Sequence, residues 1–158
     1  MKITRTANKF VFHLGKRDKH FFQELMKLYP QMPSAHHQLS KTAALSEDQS
    51  NQKLLDEALA EQRVENKKLL DGLLADKDRF KETESGCRLS LPPGDVEWLL
   101  QVLNDIRVGS WVRLGSPEPN LELATLNHLN APDFWAMELA GYFQIHLLEA
   151  LGGRGSKP

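Results

Sequence analysis

Residues 88–115, RLSLPPGDVEWLLQVLNDIRVGSWVRLG, hold the most regular apolar pattern in the chain, set between two clear stops. Pro92-Pro93 bar a helix upstream. Pro93 suits the first helical position, where its missing N–H would have no partner, and Asp95 meets the positive end of the helix dipole. Gly115, followed by Pro117, ends the element. At about 100° per residue, Val96, Leu99, Leu100, Leu103, Ile106, Ser110, Trp111 and Leu114 share one broad face, and Arg107 projects near its middle. The pattern predicts a central helix over Val96–Leu114 with a cation aimed inward.

The neighbouring segments supply layers for that helix to pack on. Upstream, MKITRTANKFVFHL alternates apolar and polar residues on either side of Asn8 and predicts a β-hairpin. A lone hairpin needs cover, and Leu89 and Leu91, alternating with Arg88 and Ser90, can add a third strand. Asp18 is the expected N-cap of a first helix running to about Tyr29, with Pro30 and Pro33 ending it. Between Glu47 and Lys81 there is no proline, and Leu54, Leu55, Ala58, Leu59, Leu69, Leu70, Leu73 and Phe80 form a stripe broken by Gln62 and Asn66. This stretch predicts one long amphipathic helix or two in succession. Downstream, Pro132 opens a last helix to Leu151, whose Met137, Ala140, Gly141, Phe143, Leu147, Leu148 and Leu151 share a face with Gln144 in its middle. Short helical turns are expected in SAHHQLS and in the middle of SPEPNLELATLNHLN, and residues 152–158 should form a mobile tail.

At 158 residues, 41% hydrophobic and 26% charged, the chain is sized for one soluble globular domain over residues 1–151. A net charge of −1 argues against general polyanion binding, so no nucleic-acid partner is expected. The charge is uneven, with eight Lys/Arg against two Asp/Glu up to Lys41 and 12 against 19 beyond it. The simplest consequence is mutual neutralisation in the fold. There is neither the apolar run of a signal peptide nor a membrane span, and a single cysteine, Cys87, gives no sign of an oxidising compartment. A cytoplasmic protein is expected.

A search for chemistry returns little. His36-His37 are adjacent and so cannot share one face of a helix or strand, and no ligand pair completes a metal site. Walker, GxGxxG, GxSxG and CxxC motifs are absent. No cofactor, metal or catalytic residue is predicted, and a non-enzymatic protein is favoured over an enzyme. What remains is a polar cluster on facing apolar surfaces: Asn104, Arg107 and Trp111 on the central helix and Gln144 on the last. A buried guanidinium must be hydrogen-bonded, so Arg107 is expected to be clamped by Gln144, backbone carbonyls or a carboxylate such as Glu138.

In Trp98-Leu99, Leu103-Asn104-Asp105-Ile106-Arg107 and Arg113-Leu114-Gly115, followed by a last helix with Tyr142 and Gln144, the chain resembles an uncharacterised helical family. That family, a domain of unknown function, is known mainly from actinobacteria and is often encoded beside the adaptor ClpS. The resemblance covers about half of the chain; the hairpin and first helix match in layout only. It implies a helical fold and a neighbourhood of regulated proteolysis, and no activity.

These readings converge on a mostly α, single-domain helical bundle with a small N-terminal antiparallel hairpin or three-stranded sheet. The expected function is a protein-binding module, an adaptor or regulator linked to regulated proteolysis. The alternative is a small-anion or ligand-binding protein, or an enzyme, working around Arg107. Spare apolar surface on the Glu47–Lys81 helix adds the expectation of a homodimer.

Overall fold

The computed structural model describes residues 1–32, 46–118 and 126–152. Strands β1 (Lys2–Arg5) and β2 (Phe10–Gly15) form the N-terminal hairpin, closed where the Thr6 N–H and hydroxyl both donate to the Lys9 carbonyl at 2.9 and 3.1 Å. Helix α1 (Lys16–Met26) follows at once. Gly15, not Asp18, stands at its N-cap; Asp18 lies buried in the first turn, where a carboxylate still complements the dipole. Then come α2 (Ser46–Ala75), β3 (Phe80–Thr83), β4 (Gly86–Leu91), α3 (Pro93–Arg113) and α4 (Ala131–Leu151). The turn expected at SAHHQLS, the adjacent His36-His37, the turn within SPEPNLELATLNHLN and the tail beyond Gly152 fall wholly or largely outside the described residues.

The expected mostly α bundle is incorrect. Among the described residues the four strands form one antiparallel sheet in the order β1-β2-β4-β3, and with 62% helix and about 16% strand the fold is mixed α/β. The difference lies in β3, a strand that the apolar stripe of α2 masks by running on to Phe80. Asp76 breaks that stripe. Its carboxylate accepts from the N–H groups of Asp78 at 2.9 Å and Arg79 at 3.2 Å, and from the Arg79 guanidinium at 2.9 Å, offering the backbone an alternative to another helical turn. The chain reverses at Glu84-Ser85 and returns as β4, whose Gly86 lies opposite Gly15. Gly86 has φ +154°, and a Cβ there would stand 1.9 Å from the Leu14 carbonyl oxygen, so only glycine lets the two strands approach.

Alternation then assigns the two faces of the sheet. Ile3, Phe10, Phe12, Leu14, Phe80, Cys87, Leu89 and Leu91 are buried towards the helices, where Phe22 of α1 stacks on Phe80 and meets the edge of Phe143 from α4. Burial pushes the Cys87 thiol up to about 11, so it stays protonated and acts as a small apolar residue. α3 is buried along Val96, Trp98, Leu99, Val102, Leu103, Ile106, Gly109 and Ser110. This arc keeps Val96, Leu99, Leu103, Ile106 and Ser110 of the expected one but is turned by about a fifth of the helix circumference, exchanging Leu100, Trp111 and Leu114 for Trp98, Val102 and Gly109. Trp98 is drawn in with its indole N–H on Asp95 at 3.0 Å, and Gly109 lies against the backbone of Gln31 and Met32, whose N–H groups both donate to Asp105. The rotation carries Arg107 to the flank of the buried arc, and it is exposed, not aimed at the core.

α2 is one helix of 30 residues, about 45 Å long. Among the described residues its C-terminal half carries the anchors: Leu70, Leu73 and Asn66 are buried, Asn66 donates to Gln101 of α3 at 3.1 Å, and Arg63 pairs with Asp105 of α3 at 3.6 Å. Among the described residues no helix is long and apolar enough to cross a membrane.

Candidate functional site

α3 and α4 lie antiparallel. Arg113 near the end of α3 donates to Asp133 near the start of α4 at 3.0 Å, and Arg107, two turns back, donates to Gln144, three turns on, at 3.2 Å. Because their buried arcs face the sheet, each helix turns a second stripe towards the cleft between them. On α3 the stripe is Asn104, Arg107, Val108 and Trp111, at helical i, i+3, i+4 and i+7 spacing. On α4 it is Phe134, Met137, Glu138, Gly141, Tyr142 and Ile145. The cleft has a volume of about 830 Å³ and runs beside some 16 Å of α4, counting from Phe134 to Ile145. Pro117 and Glu118 border one end, where the Trp111 indole donates to the Pro117 carbonyl at 3.0 Å.

The centre of the site is Arg107. Its guanidinium spends one N–H on Gln144, which is buried beneath the cleft, and among the described residues it has no carboxylate within ion-pair distance. Most of its five donors therefore remain for something in the cleft. Gly141 lies directly across: a Cβ there would be 3.8 Å from the Arg107 Nε, so the bare α4 backbone gives the guanidinium a flat bed. Glu118 and Glu138 add two acids to the same walls, making Arg107 the one lysine or arginine among the described lining residues. On the α1 side, Tyr142 donates its hydroxyl to Asp18 at 3.2 Å, and its ring meets His146 at 4.7 Å. Burial first, and the Asp18 charge second, raise the Tyr142 phenol above its usual value, so it stays a donor at neutral pH.

The four residues singled out in the sequence meet at this place. Asn104, Arg107 and Trp111 line the cleft, and Gln144 holds Arg107 from below. The clamp exists as a single hydrogen bond on an exposed guanidinium, however, and not as a buried network. Sequence reasoning missed Phe134, Ile145 and Glu118 as cleft residues and placed Met137, Gly141 and Leu148 in the core. The available signal was α4 itself: it is apolar around most of its circumference, more than one buried face can use. Ile145 and Leu148 are 58% and 55% exposed, which marks a second apolar face left in solvent. Chemically the cleft offers apolar walls, one cation with free donors and two carboxylates. Among the described residues there is no group of three His, Cys, Asp or Glu side chains able to hold a metal.

Comparison of the chain with family models, with curated proteins and with solved structures gives no match.

Proposed function

We propose that this protein is a non-enzymatic protein-binding module whose α3–α4 cleft takes an amphipathic helix from a partner. The observation that carries the reading is the pair of helical stripes, one on each wall, that leave Ile145 exposed along a cleft some 16 Å long. Helix-in-groove recognition uses apolar anchors at i, i+3 or i+4, and i+7. Here those anchors would rest on Trp111, Met137 and Ile145. A carboxylate of the incoming helix would meet Arg107, in the charge-assisted geometry a guanidinium favours, and a lysine or arginine would meet Glu118 or Glu138. An adaptor role in regulated proteolysis rests on the resemblance of the α3 and α4 motifs alone.

The second reading, a small-anion or ligand-binding protein or an enzyme, is favoured by one observation: Arg107 opens to solvent in a cleft whose volume suits a small molecule. Glu118 and Glu138 on the same walls oppose a free anion and suit a partner that brings both charges. Affinity purification from the native cell with three baits separates the readings. The parent and a Lys53→Glu control should recover the same partner, and Ile145→Asp should lose it. If all three baits recover identical proteins, or none recovers any while a metabolite co-purifies with the parent alone, the helix-binding reading is withdrawn.

A further inference from the structure

The outer face of the sheet carries a charge arrangement that the fold does not need. Strand register places Lys2 opposite His13, His13 opposite Arg88, and Arg88 opposite Lys81, so four basic residues stand in one row across all four strands. At about 4.8 Å between strands the row is about 14 Å long. Lys9 stands beside it, and the hydroxyls of Thr4 and Ser90 lie on the same face, around a shallow depression of about 450 Å³ whose one acid among the described residues is Asp78. Among the described residues, Lys2, Lys9, Lys81 and Arg88 have no carboxylate within 4 Å. Like charges directly opposite on neighbouring strands destabilise a sheet, so the Arg88–Lys81 pair works against folding and favours an anion from outside.

We propose that this face binds the phosphate backbone of a nucleic-acid duplex without reading its sequence. A duplex presents phosphates of both strands along its axis, so the row together with Lys9 can meet several of them. Lysine, arginine and hydroxyl donors are the groups that contact phosphate oxygens. Among the described residues none of the large exposed apolar side chains lies on this face, which argues against the stacking platform a single strand would use and the anchors a membrane would need. The net charge of −1 concealed the surface, because the acids that offset it lie mostly elsewhere in the chain.

The test is fluorescence anisotropy with a labelled duplex of about 20 base pairs, titrated with the intact protein at several salt concentrations. The expected result is binding at about 50 mM salt whose affinity falls with salt at a log–log slope near −3 to −4. Arg88→Glu should weaken binding at least tenfold and should melt at or above the parent temperature, since it turns the Lys81–Arg88 repulsion into an attraction. Lys53→Glu on α2 should bind as the parent does. Absence of binding at about 50 mM salt, Arg88→Glu binding as tightly as the parent, or polyglutamate competing as well as the duplex would each overturn the proposal.

Discussion

Arg107 and the two glycines near it show how single residues divide between structure and site. An exposed guanidinium with one neutral hydrogen bond contributes about 1 kcal/mol, against the 3–5 kcal/mol expected for the removal of a buried, paired charge. Arg107→Ala is therefore expected to melt within a few degrees of the parent, while loss of its donors should weaken partner binding far more. Gly141 and Gly109 both sit inside helices, yet alanine should act oppositely at the two. At Gly141 a Cβ meets only the Arg107 side chain at 3.8 Å, so Gly141→Ala should stabilise by about 0.5–1 kcal/mol through helix propensity. At Gly109 a Cβ would stand 2.8 Å from the Gln31 carbonyl carbon and 2.9 Å from the Met32 nitrogen, both backbone atoms. Gly109→Ala must push that segment off α3 and should destabilise by about 1–3 kcal/mol. Urea melts of the two variants check the contrast, and equal shifts of the same sign would refute it.

At the scale of elements, the break between α2 and β3 depends on the Asp76 carboxylate. That carboxyl is held below its ordinary value of 3.8, first by the hydrogen bond from the Arg79 guanidinium and then by the N–H groups of Asp78 and Arg79. A depressed carboxyl stabilises the fold above its unfolded value, and the contribution is lost as the pH falls through the folded one. Asp76→Ala should therefore melt below the parent at neutral pH, and the gap should narrow as acid protonates the parent carboxyl below its ordinary value. A gap unchanged by acid would remove Asp76 from this role. The same element explains what could be read from the sequence. Proline stops and 3.6-residue spacing located α3 and α4 closely, and period-two alternation located β1, β2 and β4. β3 escaped because Phe80 continues the α2 stripe, and the Asx turn that overrides it is a side-chain hydrogen-bonding choice with no periodic mark. The facing of α3 was misjudged for a related reason: glycine at 109 counts as neutral in a hydrophobic pattern, yet the approach of Gln31-Met32 makes it one of the most enclosed positions on the helix. The sequence pointed to four residues that the structure brings together, but not to the cleft between them, because a helix apolar around most of its circumference gives no sign of which face stays in solvent.

For the whole molecule, two surfaces with exposed apolar side chains stand beside the basic sheet face as places of association. Along residues 50–65 of α2 no residue is buried, and Leu54 and Val64 are 64% and 58% exposed. The proposed homodimer would pair these helices along Leu54 and Val64, with exposed Gln62 close to the register point; Asn66, expected to share that role, is instead buried against Gln101 of α3. Sedimentation equilibrium at tens of micromolar should then show a dimer that Leu54→Glu dissociates, whereas a parent that stays monomeric removes it. The α3–α4 cleft carries the larger claim, and the three tryptophans provide its reporter. The Trp111 indole lies in the cleft on the Pro117 carbonyl, while the Trp98 indole is held by Asp95 on the buried side of the same helix. Titrating a purified partner helix into ¹⁵N-labelled protein, with the indole N–H signals followed by NMR, is the most direct measurement. The account predicts that the Trp111 signal moves to saturation while Trp98 stays in place, and that Ile145→Asp abolishes the movement. A saturated complex in which Trp111 does not shift would contradict it.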